Sequence, residues 1–341
     1  MITPGYPKQV TGVVVERFGD WRDAKIGTLP LRPLSPGEVL IKCEAAALNF
    51  QDLLMIEGKY QLRPATPFFS GSDIAGRIIA LGPGVEEFSV GQKTAAFVQI
   101  GGFAEYAIAP LGRCFPIPDD IDFARAAAST SIFATVVVAL TIRGQLRAGE
   151  RILVTGAAGG VGIAAIQYAR QIGAEVVALV SSEAKQQIAR HAGAHHIVRL
   201  DQLGNPIEDL RVALAGSAID GLDIVIDMVG GDVFDGAIRC LRPGGRIVVV
   251  GFASGRISEV KTNYILLKGI SVIGSALKMG VEHHGPALKE LMAKVYKDVA
   301  IGKLDPIITA TYAFHEFHRA AAQIANRSAA GKIVLVPRLR G

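Results

Sequence analysis

The segment Arg151-Ile-Leu-Val-Thr-Gly-Ala-Ala-Gly-Gly-Val-Gly162 constrains this chain more than any other dozen residues. Ile152 to Val154 is a short apolar run of the kind that forms a buried parallel strand. Closely spaced glycines follow, and then Val161, Ala165, Tyr168/Ala169 and Ile172 recur at helical spacing. Strand, tight turn and helix in that order aim backbone N–H groups and a helix N-terminus at a pyrophosphate. A Cβ would block either the turn or the approach of the phosphate. The expected ligand is a dinucleotide, held by Gly156, Ala158, Gly159, Gly160, Val161 and Gly162. The strict G-x-G-x-x-G spacing is not met, because Ala157 stands in the first glycine's place. The setting between a strand and a helix carries the inference instead.

Which nicotinamide cofactor fits depends on the end of the second strand. An NAD site places a carboxylate there for the ribose hydroxyls. This chain reads Leu179-Val-Ser-Ser-Glu-Ala-Lys185, so small hydroxyls and a cation replace it. Ser181, Ser182 and Lys185 suit a 2′-phosphate, which favours NADPH; Ser181 as a plain helix N-cap is the alternative. Glu183, on the first turn of the next helix, can face water. Two further loops, Asp227-Met-Val-Gly-Gly231 and Gly251-Phe-Ala-Ser-Gly255, lie at later strand ends, where ligands of parallel sheets sit. Val229 is a candidate contact there. Gly251, Phe252 and Ala253 are candidates to offer backbone groups to the nicotinamide amide.

Alternating helices and strands from about residue 122 imply a doubly wound parallel α/β sheet. Its strands are expected at 152–154, 176–179, 196–198, 224–227 and 247–250, with 270–274 at an edge. Residues 124–143 read as a helix interrupted near 130–133. Before that, short strands at 12–17, 39–47, 74–81 and 103–109 are separated by Gly/Pro turns, the pattern of a compact, mostly antiparallel β-barrel. Helices at 286–300 and 315–325 and a strand at 331–337 return to that first domain. The expected division is 1–124 with 266–341 for the barrel domain and 125–265 for the cofactor domain.

The three cysteines, Cys43, Cys114 and Cys240, are far apart and odd in number, which argues for a reducing compartment. The longest apolar run, 132–142, reads as too short and too Thr-rich to span a bilayer, and the N-terminus lacks the pattern of a signal peptide. A cytoplasmic protein without membrane attachment is expected. The net charge of +5 is spread out with no basic run, so no nucleic-acid partner is expected; it is either a mild bias toward anionic ligands or a plain solvated surface.

Several separated motifs, taken together, resemble one family along essentially the whole length. They are Asn49-Phe-Gln-Asp52, Gly58-Lys-Tyr60, Gly71-Ser-Asp-Ile-Ala-Gly76, the glycine turn, Asp227-Met-Val-Gly-Gly231, Arg242-Pro-Gly-Gly245 and Gly331-Lys-Ile-Val-Leu335. The chain is similar to the medium-chain dehydrogenases/reductases, in particular the zinc-free quinone oxidoreductase branch that includes zeta-crystallin. The resemblance implies a GroES-like catalytic domain, an inserted Rossmann domain, substrate in the cleft between them, and a homodimer or homotetramer joined through the Rossmann sheet edge. Zinc-dependent relatives carry a Cys ligand where this chain has Leu48-Asn49-Phe50, and Gly-His-Glu where it has Gly71-Ser72-Asp73. The cysteine-rich structural-zinc lobe is missing too, and the adjacent histidines 195–196 and 283–284 would diverge on a strand. Metal catalysis is therefore not expected.

Without a Lewis acid, the acceptor must already be electrophilic. The expected reaction is hydride transfer from NADPH to a quinone, enone or enoyl ester. The resemblance makes Asn49 and Thr135 candidates to lie near the nicotinamide and Tyr60 a candidate for the substrate pocket. Tyr60 either donates a proton or is an amphipathic wall. Asp52 is expected to orient backbone, Asn263 to lie beside the cofactor, and Arg199 to compensate for Leu200, where many relatives have Tyr. A 2-enoyl thioester reductase, a reductase of substituted acrylates and a non-enzymatic NADPH-holding protein are the competing possibilities.

Overall fold

The computed structural model describes residues 7–217, 219–326 and 329–338. They form two compact units, one made of the residues up to Ser131 with those from Met292 on, the other of Ile132–Leu291.

The first unit is built around one long strand. Its elements are β1 (Gln9–Val15), β2 (Lys25–Pro30), β3 (Glu38–Leu48), helix α1 (Phe50–Ile56), β4 (Phe68–Phe69), β5 (Asp73–Leu81), β6 (Lys93–Phe97), β7 (Tyr106–Pro110) and β8 (Cys114–Pro116). β3 pairs antiparallel with β5 over nearly its full length and with β7 over its first half. Covered by partners on both sides, it is apolar almost throughout, with Val39, Leu40, Ile41 and Ala45 to Leu48 all buried. Their inward side chains join Val13, Ile74, Ile78 and Phe103 in the core of this unit. At its carboxyl end β3 turns into α1, and that junction carries the candidate chemistry.

The second unit is a parallel sheet flanked by helices. α2 (Phe123–Val136) runs into a π-helical stretch, Val137–Arg143. Then follow β9 (Arg151–Val154), α3 (Gly160–Ile172), β10 (Glu175–Val180), α4 (Glu183–His191), β11 (His196–Arg199), α5 (Pro206–Gly216), β12 (Leu222–Asp227), α6 (Gly231–Ala237), β13 (Leu241–Val249), α7 (Thr262–Lys268), β14 (Ser271–Gly274) and α8 (Leu277–Ala300). The strand order is β11-β10-β9-β12-β13-β14, with every pairing parallel. Read in chain order this is 3-2-1-4-5-6, the doubly wound dinucleotide-binding arrangement, whose order reverses between β9 and β12. The chain then closes the first unit with β15 (Ile308–Ala313), α9 (Phe317–Ala325) and β16 (Lys332–Val336). β16 pairs antiparallel with β3, placing Ile333 opposite Leu48.

Four expectations are corrected. The second division falls at Leu291/Met292 instead of 265/266, because β14 pairs with β13 and keeps its neighbourhood in the parallel sheet; the first falls at Ser131/Ile132 instead of 124/125. The helix is not interrupted at 130–133: the Thr130 hydroxyl bonds back to the Ala126 carbonyl (3.0 Å) and leaves the ladder intact. The widening comes later, where the Gly144 N–H reaches the Ala139 carbonyl (2.8 Å), an i→i+5 closure. Phe123–Arg143 is therefore long and apolar enough, by length and composition, to cross a membrane, but 78% of that window is buried in the fold. Finally, α8 begins nine residues before Pro286 and kinks at His284 (φ −132°, ψ 24°), so His283 and His284 lie on a helix, not a strand.

Candidate active site

The turn after β9 has the geometry its glycines imply. Gly156 adopts φ 61°, and a Cβ on Gly162 would stand 2.4 Å from the Gly156 carbonyl oxygen. Gly159 caps α3 with extended backbone and no side chain in the way. Ala158, Gly160 and Val161 complete the turn and the first residues of α3, whose opening N–H groups have no partner within the helix. Asp227, at the end of β12, ties the two central strands together. It accepts from the Thr155 hydroxyl (2.7 Å) and from the N–H groups of Val229 (3.2 Å) and Gly230 (3.0 Å), while Thr155 Oγ1 accepts from Met228 N–H (3.0 Å). Burial raises its pKa, and these donors oppose the rise. Sequence reasoning had quoted Asp227 only as part of a loop.

The later loop is more self-contained than expected. The Gly251 and Ala253 N–H groups donate to the Asp227 and Met228 carbonyls (3.3 and 3.0 Å), so they are not free for a ligand amide. The Phe252 N–H is left without a partner among the described residues, and its ring is 44% exposed. Asn263 sits exposed in the first turn of α7 with no side-chain bond among the described residues.

At the end of β10, Lys185 donates to the Ser181 hydroxyl (3.1 Å). It is Ser182, not Ser181, that caps α4, and its hydroxyl makes no capping bond. Two hydroxyls and an ammonium therefore gather at the strand end and fit a phosphate. Arg199, the expected compensation for Leu200, has carboxylate partners in the structure. Its guanidinium is held by Asp201 (3.0 and 2.9 Å) and lies 3.3 Å from Glu183, whose side chain is 79% exposed and faces water as expected.

In the first unit, a buried polar cluster forms where β3 turns into α1. The Lys332 ammonium, 3% exposed, donates to the Asn49 side-chain oxygen (2.5 Å) and the Leu48 carbonyl (3.3 Å). The Asn49 amide nitrogen donates to Asp73 Oδ2 (2.9 Å), which also accepts from the Ser131 hydroxyl. Asp52 takes the Asn49 N–H on one oxygen (2.7 Å) and the Ser72 hydroxyl on the other (2.8 Å). Gln51 donates to Ser72 Oγ (2.9 Å) and accepts from the Tyr60 hydroxyl (3.3 Å). Asp52 orients backbone, as expected. Burial pushes its carboxyl up to about 7, raises Asp73 as well, and lowers Lys332 against the opposing pull of both carboxylates. Tyr60 is raised by burial first and by Asp52 second.

The expected site residues of the first unit, Asn49 and Tyr60, thus belong to one network. Asn49 has both ends of its amide committed inside the protein. Thr135 lies on α2 in the second unit, half-buried, with a hydroxyl that bonds no described residue. Sequence reasoning missed Lys332, Ser131 and Gln51 and treated Ser72 and Asp73 only as departures from a metal site.

This donor set does not fit tetrahedral zinc. It offers no thiolate or imidazole, and it already surrounds an ammonium. Among the described residues no group of three or more His, Cys, Asp or Glu could hold a metal. Three histidines have partners within the protein: His318 Nε2 pairs with the Ala24 carbonyl (2.8 Å), His195 Nδ1 accepts from Val176 N–H (2.9 Å), and His196 pairs with Glu175 (2.8 Å).

Comparison with known proteins places this architecture. The alcohol dehydrogenase GroES-like domain family matches residues 35–119, and the zinc-binding dehydrogenase family matches residues 160–294. A Bos taurus protein, quinone oxidoreductase-like protein 2, is 33% identical over 305 residues, covering 89% of this chain and 86% of its own. The Sus scrofa quinone oxidoreductase is 30% identical over 332 residues, 96% of this chain and 98% of its own. The chain belongs to the quinone oxidoreductase-like branch of the medium-chain dehydrogenases/reductases. It is an oxidoreductase with a GroES-like and a Rossmann unit. A mycobacterial protein solved in complex with NADPH superposes with a TM-score of 0.87 at 25% identity, covering 96% of this chain and all of that one.

Proposed function

We propose that this oxidoreductase is zinc-independent and transfers hydride from NADPH to a quinone or another conjugated carbonyl acceptor. The observation that carries the reading is the Lys332-centred cluster at the positions of Asn49, Ser72 and Asp73. Asn49, Ser72 and Asp73 fall in the segments where the resemblance places the ligands of zinc-dependent relatives, and here they are bonded to one another and to Lys332 and Asp52. Without a metal to polarise it, a simple carbonyl is a poor acceptor, whereas a quinone needs only hydrogen-bond assistance.

Bound at the glycine turn, NADPH would supply the hydride. The N-terminus of α3 would hold its pyrophosphate, and Ser181, Ser182 and Lys185 its 2′-phosphate. The preference for NADPH is supported by that hydroxyl–ammonium cluster and by the NADPH complex of a similar structure. Tyr60, a phenol with an ordinary pKa of about 10 that burial raises further, keeps its proton at neutral pH, so its hydroxyl serves as a donor to oxygen of the reduced acceptor.

A second reading, reduction of 2-enoyl thioesters, is favoured by the same Tyr60 hydroxyl, oriented by Gln51 and able to protonate carbon after hydride arrives. NADPH oxidation against 1,4-benzoquinone, 9,10-phenanthrenequinone, an enone, a substituted acrylate and a 2-enoyl thioester separates the two. Turnover of quinones without thioesters supports the first reading, the reverse supports the second, and no turnover of any supports a cofactor-holding protein.

A further inference from the structure

We propose that Lys332 is a positioning residue for this reduction, acting through the Asn49 amide to fix the start of α1 and, beyond it, the Gln51–Tyr60 pair. This rests on the reductase reading above and assigns it a residue far away in sequence.

The geometry leaves the Asn49 amide one orientation. Its oxygen faces the Lys332 ammonium at 2.5 Å and its nitrogen faces Asp73 Oδ2 at 2.9 Å. A flip would set an NH2 group against an ammonium and an oxygen against a carboxylate, and both contacts would become repulsive. The residue is the N-cap of α1, yet its side chain makes no capping bond and is spent on these two charges. What holds the helix start is the reverse contact, from the Asn49 N–H to Asp52 Oδ2 at 2.7 Å. Two residues on from Asn49, Gln51 lies between the Ser72 hydroxyl and the Tyr60 hydroxyl. Orientation passes from Lys332 to Asn49, to the first turn of α1, and so to the phenol.

Charge explains why a lysine is kept in so dry a place. Asp52 and Asp73 are 1% and 0% exposed, and Asp73 Oδ1 has no hydrogen-bond partner among the described residues. Removing the Lys332 ammonium would leave these two buried acids without its compensation. The strand supplies the reach: β16 lies beside β3, so Lys332 meets a residue 283 positions earlier.

The test uses the full-length protein with Lys332→Met, Lys332→Arg and the double variant Lys332→Met/Asp73→Asn, which remains foldable if the single charge loss is not tolerated. Three readouts are taken: kcat and KM for the best acceptor, Kd for NADPH, and hydrogen exchange of the 50–56 amides, with β9 as internal control. The expected result for Lys332→Met and for the double variant is a kcat lower by roughly 10- to 100-fold, the scale of a small misplacement. Exchange at 50–56 should quicken while β9 exchange and the NADPH Kd stay the same. Lys332→Arg should recover most of kcat and the slow exchange. Wild-type kcat and wild-type exchange in the folded variants would overturn the inference, as would an equal loss in Lys332→Arg. If the wild-type protein reduces no acceptor, the reductase reading falls, and the exchange data alone decide whether Lys332 orders α1.

Discussion

The Lys332 ammonium donates to the Asn49 side-chain oxygen at 2.5 Å, joining the last strand of the chain to the junction of β3 and α1. A side chain that sequence reasoning aimed at a nicotinamide is thereby committed inside the protein. The cationic group at this position is a side chain of the chain itself, and the Asn49 amide links it to the buried Asp73, with Asp52 close by. This is the physical difference between this site and a metal site, and the predictions below follow from it and from the strand ends of the second unit.

Lys185 is the one cation at the end of β10 not already paired with a carboxylate among the described residues, since Arg199 is held by Asp201 and Glu183. Lys185→Ala should weaken NADPH by roughly 10- to 100-fold, the worth of a charge-assisted hydrogen bond, and leave NADH within about twofold. Titration calorimetry with both nucleotides reads this directly. Equal losses for both would mean that no 2′-phosphate sits there.

Gly162→Ala forces a methyl group to within 2.4 Å of the Gly156 carbonyl. The turn must open, at a cost of about 1–3 kcal/mol in stability, and nucleotide affinity should fall with it. Thermal melts with and without NADPH measure both effects. A variant with wild-type melting that is still stabilised by NADPH would contradict the described packing.

Tyr60→Phe distinguishes a hydrogen bond from a proton transfer. With quinones the loss in kcat should stay within about tenfold, the worth of one hydrogen bond. With a 2-enoyl thioester, if it is a substrate, the loss should reach about 100-fold, because carbon must be protonated. Steady-state kinetics on both acceptors gives the ratio, and equal losses would remove the proton-donor role.

Burial holds the Asp52 carboxyl up at about 7, well above its ordinary value, beside Asp73, which is raised too. The folded state therefore binds a proton that the unfolded state has already released between pH about 4 and about 7. Over that window the group's contribution to stability falls as pH rises, by up to about 1.4 kcal/mol per unit. Denaturant melts of wild type and Asp52→Asn should show the wild-type advantage shrinking from pH 5 to pH 8. An advantage that stays flat from pH 5 to pH 8 would mean that Asp52 is ionised throughout.

The second unit was legible because each of its signals is local. The run Ile152 to Val154, the glycine turn and the 3.6-residue periodicity of α3 lie within twenty-two residues, and parallel strands buried on both faces read as continuous apolar runs. The polar cluster was not, because it is assembled by pairing across the chain. Lys332 precedes an apolar run in a closing strand, where a lysine ordinarily marks a solvated edge. Only the pairing of β16 with β3 turns it inward. One signal was present: Gly331-Lys332 opens a strand whose next three residues are all fully buried, so the lysine had little solvent to reach. Ser131 and Gln51 carried no such mark, since a hydroxyl in a helix and an amide in a first turn are ordinary surface choices.

The central claim is hydride transfer from NADPH to a conjugated acceptor without a metal. Its most direct test follows NADPH oxidation by 9,10-phenanthrenequinone before and after exhaustive chelation, with metal content measured on the same sample. The account predicts an unchanged rate and zinc far below one equivalent per chain. One equivalent of zinc, with activity lost on its removal and regained on its return, would contradict it.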